Sequence, residues 1–161
     1  MPELTLFFTE ASPFSQWYRC AFTVGDNRFS CAEQYMMHGK ALLFGDVAIA
    51  LEILAADHPR AHKALGRKVK PFDAAVWTRE CEAIVLAGNR AKFTQNPKLL
   101  QLLRATRGTT IVEASPFDRI WGIGLAASDP RAQDPAQWRG KNLLGKILTE
   151  LREQLLAGAG P

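Results

Sequence analysis

Apolar and polar positions along the chain follow two periods. The opening "LTLFF" is a short apolar run and reads as a strand. In "AFTVGDNRFS" apolar runs flank the turn sequence Gly25-Asp26-Asn27, which predicts a hairpin. From Ser30 the apolar spacing changes to threes and fours. Ser30 and Glu33 make the S-x-x-E of a capping box, and the helix they open is predicted to reach about Phe44, stopped by Gly45. Asp46 caps a second helix through Ala56, and Asp57-His58-Pro59 starts a short third with proline near its first position. The longest helical signal is "FDAAVWTRECEAIVLAGNRAKFTQNP", capped by Asp73, with Trp77, Cys81, Ile84, Val85 and Ala91 on one face. Asn96-Pro97 ends it and begins another helix through Leu103. "TTIVEAS" returns to a strand, and "PFDRIWGIG" reads as a turn followed by an extended piece. A loop with Asp129-Pro130 and Asp134-Pro135 leads to a last helix, about Asn142 to Leu156. The expected fold class is α+β: a mostly helical single domain over residues 1–161 with a small antiparallel sheet.

Composition narrows the class. At 161 residues and 17.8 kDa the chain is long enough to bury a proper core, and 47% apolar with 22% charged residues is a globular balance. The longest apolar run, Ala41 to Ala56, is broken by Asp46 and Glu52, so no membrane span is expected. "MPELTLFFTE" has no basic region or cleavage site of an export signal. The three cysteines, Cys20, Cys31 and Cys81, form no CxxC, which suggests a reducing, cytoplasmic setting with buried thiols. His58 and His62 are four apart, but Pro59 lies between them and no third ligand is apparent, so no metal site is expected. A net charge of +4 suits a phosphorylated ligand or weak attraction to nucleic acid, and is too small and too scattered for a dedicated DNA binder. There is no GxxxxGK[ST] loop and no GxSxG elbow, and "GIG" lacks the further glycine of a dinucleotide fingerprint.

Two clusters carry residue types suited to chemistry. In "CAEQYMMHGKALLFGD", Glu33 and Lys40 stand seven residues apart. Seven residues at about 100° each come within roughly 20° of two full turns, so both project from one face. Their Cα atoms lie roughly 10 Å apart along the axis, too far for a direct ion pair and suited to two long side chains converging on a sugar-sized ligand. The competing reading is that Glu33 closes the capping box while Lys40 snorkels past Met36 and Met37. In "EASPFDRIWGIG", Glu113 ends a strand, and Asp118 and Trp121 follow in a turn where Gly122 and Gly124 admit close backbone approach. Here the alternative is that Asp118 caps the turn and Trp121 is core. Trp17 and Tyr18 could stack on a base or fill a core. Arg67 and Lys92 are candidate phosphate contacts, or solvated charges at helix ends.

Taken together, "FSQWYRCAF", "AEQYMMHGKALLFGD", "LGRKVKPFD", Trp77, "AKFTQNPKL", "EASPFDRIWGIGL" and "WRGKNLLGKIL" resemble the NADAR family, also called YbiA-like, over about residues 14 to 152. The combination is specific where no single block is. The resemblance implies an N-glycosidase that cleaves the ribosyl–nitrogen bond of phosphorylated aminopyrimidine ribosylamines, intermediates of riboflavin biosynthesis. Other members remove ADP-ribose from guanine in nucleic acid, and a non-catalytic ADP-ribose or nucleotide-binding module is a third possibility. By position, the family's helix motif puts its glutamate at Glu33 and its lysine at Lys40, and its strand-end motif puts an aspartate at Asp118 and a tryptophan at Trp121. Arg67, Trp77 and Asn142 match recurrent positions, with substrate binding as the implied role, shared by Trp17 and Tyr18. The implied assignment makes Lys40 the nucleophile, Glu33 the acid/base and Asp118 a second carboxylate, with no metal or organic cofactor. Nucleic acid enters only as an ADP-ribosylated substrate, and no membrane is involved. Gln16, in place of the usual asparagine, and His38-Gly39 before the lysine are departures that bear on pocket shape or specificity.

Overall fold

Four short strands and six helices form among residues 3–158, the part described by the computed structural model. In chain order they are β1 (Leu4–Phe7), β2 (Phe22–Val24), β3 (Asn27–Phe29), α1 (Ala32–Leu43), α2 (Val47–Ala55), α3 (Pro59–Gly66), α4 (Ala74–Thr94), α5 (Pro97–Ala105), β4 (Thr110–Glu113) and α6 (Leu143–Leu156). The helix-rich α+β class is as expected, but the strands make two pairs instead of one antiparallel sheet. β2 and β3 pair antiparallel with Phe22 opposite Phe29. β1 and β4 pair parallel, from Leu4 opposite Thr110 to Phe7 opposite Glu113. A two-residue turn can only return the chain antiparallel, whereas the long intervening stretch lets β4 arrive in the same direction as β1. The chain divides into two compact units, Gln16–Asn96 and the remainder.

In the unit of residues 16–96, α1 packs against α2, α3 and α4. The approach of α4 is close enough that a Cβ on Gly88 would collide with the Tyr35 ring, so glycine is required there. Phe29 sits at the centre, its ring 5.2 Å from Tyr35 and 5.6 Å from Phe22. Three predicted helix starts hold. Asp46 Oδ1 accepts the Ile49 N–H at 3.1 Å, Asp73 Oδ1 accepts those of Ala75 and Val76, and His58 caps α3 just before Pro59. The capping box at Ser30 does not form. Cys31 is the N-cap and makes no side-chain cap bond, while the Ser30 N–H is accepted by Gln34 Oε1 at 2.8 Å.

In the other unit, α6 covers the β1–β4 pair. Val112, Ala114, Ile123, Leu125 and Ala132 form its core, with Leu4, Leu6 and Trp138 packed against them. The first turn of α6 meets β4 backbone to backbone: a Cβ on Gly145 would collide with the Ile111 carbonyl. Residues 116–124, expected to end in an extended piece, form consecutive turns with no strand. Their bonds, Ile123 N–H to Glu113 O and Gly124 N–H to Asp118 O, fold the loop back on itself and onto the end of β4. Arg152 of α6 is buried and donates to the Thr106 carbonyl at 2.8 Å, fixing the chain after α5.

A fully buried lysine marks the unit of residues 16–96. Lys92 is fully enclosed, its amine 5.0 Å from the Phe93 ring and 5.7 Å from the Tyr18 ring. Burial pulls its pKa down from 10.5 to about 8, against the smaller opposite pull of Cys20 and Cys31. Below about pH 8 the amine is protonated in both folded and unfolded chains, so the burial penalty is fully present. Between about 8 and 10.5 only the unfolded chain holds that proton, so stability gains as pH rises. The stability of the wild type relative to Lys92→Met should therefore increase across that window. Urea unfolding midpoints measured for both proteins at each pH check it, and a flat difference would contradict it.

Candidate active site

α1 carries Glu33 and Lys40 two turns apart. Glu33 is only 5% exposed, and its backbone N–H donates to Gln16 O at 2.9 Å. Because Gln34, not Glu33, receives the Ser30 N–H, the reading of Glu33 as the closing member of a capping box is removed. Lys40 is half-buried, its Nζ 4.7 Å from the centre of the Phe72 ring and 5.7 Å from that of Trp77. Burial pushes the Lys40 pKa below the ordinary lysine value, the Glu33 carboxylate pulls it back, and Arg67 adds to the lowering. The unit thus brings four of the expected residues, Glu33, Lys40, Arg67 and Trp77, into one electrostatic and aromatic neighbourhood. Arg67 is exposed at the C-terminal end of α3, and Trp77 is half-buried in the first turns of α4.

Phe72 belongs to this neighbourhood and was not picked out from the sequence. The available signal was a large ring between Pro71 and the capping Asp73, in the segment that joins Arg67 to Trp77. Trp17 is half-buried with its ring edge-on to His58 at 6.4 Å, and the half-buried Tyr18 faces the Lys92 amine. The two histidines are engaged separately. The His62 Nε2 lies 2.7 Å from the Ala56 carbonyl, and His58 Nδ1 accepts the Arg60 N–H at 3.0 Å. No group of three or more His, Cys, Asp or Glu side chains that could hold a metal occurs among the described residues. A surface cleft of about 490 Å³ in the same unit is lined by Arg19, Arg28, Phe29, Gln34 and Asp57, among others, and by none of Glu33, Lys40, Arg67 or Trp77. Arg19 there donates to the carbonyl of Asp57, just beyond the end of α2.

Asp118, Trp121 and Asn142 lie in the other unit. Asp118 Oδ1 accepts the N–H groups of Ile120 and Trp121, each at 2.9 Å, so one carboxylate oxygen builds the turn. Trp121 is half-buried, and its carbonyl accepts the Leu144 N–H. Asn142 is fully buried in a left-handed conformation, φ 53°. Its amide bridges β4, accepting from the Glu113 N–H at 3.0 Å and donating to the Ile111 carbonyl at 3.1 Å. That amide is committed to the strand, so any effect of Asn142 on binding passes through the end of β4. On the same loop Phe117 is 87% exposed, with its ring 6.4 Å from Phe8.

Comparison with known proteins agrees with this arrangement of motifs. The NADAR domain family model matches residues 6–156. The N-glycosidase R617 of Acanthamoeba polyphaga mimivirus is 45% identical over 146 residues, 88% of this chain and 86% of that protein. The NMR structure of the Escherichia coli protein YbiA superposes with a TM-score of 0.80 at 28% identity, covering 98% of this chain and 88% of that one. A riboflavin biosynthesis protein of Vibrio vulnificus, VVA0006, is 28% identical over 88% of this chain, which matches 35% of its length.

The turn bonds of Asp118 separate its two possible roles. Asparagine can still accept both N–H groups through its side-chain oxygen, whereas alanine loses both. Asp118→Asn should melt near the wild type, and Asp118→Ala should lose about 1–3 kcal/mol for two hydrogen bonds. Thermal melts of the two variants check this, and equal melting of both would show that the turn does not rely on the side chain.

Proposed function

Because the chain belongs to the NADAR family, we propose that it is an N-glycosidase hydrolysing the ribosyl C–N bond of phosphorylated aminopyrimidine ribosylamines of riboflavin biosynthesis. The observation that carries this reading is the Lys40 amine, half-buried against Phe72 and Trp77 on the helix face of the buried Glu33. The neutral amine is the form that attacks carbon, and the lowered pKa of Lys40 raises its share. Relatives named N-glycosidase support the reaction class, and VVA0006 supports the riboflavin connection. Three cysteines with no CxxC spacing suit a reducing cytoplasm. No helix among the described residues is long and apolar enough to cross a membrane.

The steps balance without a cofactor. Glu33 delivers a proton to the ring oxygen as the ribosyl ring opens to an iminium between C1′ and the aminopyrimidine nitrogen. The neutral Lys40 amine adds to C1′, and a lysine proton passes to that nitrogen. The C1′–N bond breaks, the free aminopyrimidine leaves, and the sugar remains on Lys40 as an iminium. Water then adds to C1′, the Glu33 carboxylate takes back the proton this releases, the bond to Nζ breaks, and ribose phosphate leaves with the amine and the acid both restored. Arg67 is suited to the phosphate by charge and Trp77 to an aromatic wall. By motif position Asp118 is suited to orienting ribose or water and Trp121 to stacking on the base, with Trp17 and Tyr18 as further binding residues.

Borohydride added during turnover should trap the sugar fragment on the peptide that contains Lys40, identified by mass. Lys40→Arg keeps the charge but cannot form the adduct, so trapping and turnover should both vanish with the fold intact. If Lys40→Arg stays active, direct water attack promoted by a carboxylate replaces this mechanism. Glu33→Gln should fold, since glutamine is nearly isosteric with glutamate and still hydrogen-bonds, and lose roughly 10²–10⁴-fold in rate. Near wild-type turnover of Glu33→Gln would remove it from the chemistry. The substrate is tested by offering the aminopyrimidine ribosylamine phosphate beside DNA bearing ADP-ribosylated guanine. Release of free aminopyrimidine with the DNA unchanged is expected, and loss of ADP-ribose from the DNA alone would overturn the assignment.

A further inference from the structure

Phe72 has no obvious task in the core. It is 48% exposed, yet its position is held on three sides. The Phe44 ring at the end of α1 meets it edge to face at 5.2 Å. Two residues upstream, the Lys70 N–H donates to Asp46 Oδ2 at 2.9 Å, the same carboxylate that caps α2 through its other oxygen. One residue downstream, Asp73 is fixed as the cap of α4. A half-exposed ring fixed this firmly, 4.7 Å from a half-buried amine, has a use that packing alone does not supply.

We propose that Phe72 is the positioning residue of the Lys40 amine, its ring forming with Trp77 the walls of an aromatic slot that keeps water off Nζ and holds it in one place. The inference rests on the reading of Lys40 as the reacting amine. A ring does two opposed things to an amine. Its face attracts the ammonium form, while its bulk removes water and so disfavours that form. The charged groups that act on this amine are Glu33 on its own helix and Arg67 at the end of α3, and they oppose one another. Trp77, from α4, and Phe72 bring no charge. Burial is the largest influence on Lys40, and Phe72, 4.7 Å from Nζ, is one of the two rings that stand against the amine. Leucine keeps apolar cover without a ring face, and alanine keeps neither. The two substitutions therefore separate cover from cation attraction.

The test measures the amine directly. Wild type, Phe72→Ala and Phe72→Leu are labelled with trace acetic anhydride across a pH series, and modification of the Lys40 peptide is quantified by mass. Phe72→Ala should move the labelling midpoint upward, toward an ordinary lysine, and Phe72→Leu should leave it low. In turnover, Phe72→Ala should lose several-fold in kcat at neutral pH with KM little changed, the loss diminishing as pH is raised, and Phe72→Leu should restore most of the rate. An unchanged midpoint in a folded Phe72→Ala, or a midpoint that rises equally in both variants, overturns the proposal. The labelling needs no turnover. A shifted midpoint together with an absence of borohydride trapping would therefore refute the Schiff-base reaction and leave the positioning role standing.

Discussion

A single buried amide holds the geometry of α1. Gln34 accepts from the Ser30 N–H and hydroxyl through Oε1, while its Nε2 lies within bonding distance of the Ile53, Leu54 and Ala56 carbonyls. It therefore joins the residue after β3, the start of α1 and the C-terminal turn of α2, whose last carbonyls have no partner within the helix. Stripping this amide away would leave several buried groups unsatisfied, each costing about 1–3 kcal/mol. The position of α1 follows from that network, and with it the direction in which Glu33 and Lys40 project.

Asp46 extends the same logic to the segment between α3 and α4. One oxygen terminates α2 and the other restrains the backbone at Lys70, so a capping residue also places Phe72. Around Lys40 the balance is between solvation and charge. Two aromatic rings stand against the amine, its burial favours the neutral form, and Glu33 limits how far that goes. An attacking amine needs both: burial that raises the share of its neutral form, and a carboxylate near enough to handle the protons released in the reaction. Lys92, fully buried on α4, marks the deeper end of the same scale, with its pKa drawn to about 8.

In the second unit the restraint is backbone against backbone. Gly145 lets α6 settle on Ile111, and Asn142 occupies a left-handed turn so that its amide can bond both faces of a peptide pair on β4. The loop that carries Asp118 and Trp121 is pinned at Glu113 and closed by its own aspartate, so its side chains project from a rigid turn. A rigid loop at a strand end presents functional groups at low entropic cost.

The sequence by itself determined what depends on neighbours a few residues apart. The hairpin at Gly25-Asp26, the Asp46 and Asp73 caps, proline at the start of α3 and the shared face of Glu33 and Lys40 all follow from local backbone bonds and the helical repeat. The family of the chain was also legible, because its motifs recur in order along most of the length. Tertiary structure decided the rest. β4 pairs parallel with β1 across the length of the intervening chain, a choice no short window contains. The expected capping box failed because Gln34, drawn to the carbonyls at the end of α2, offers its oxygen to Ser30 in place of Glu33. Asn142 matched a motif position, but only its contact with β4 shows where its amide is used. Phe72 became visible only when Asp46 and Phe44 brought it beside Lys40. Hydrogen bonds and ring contacts between distant residues have no fixed spacing in the chain, so their partners are settled only when the packing is.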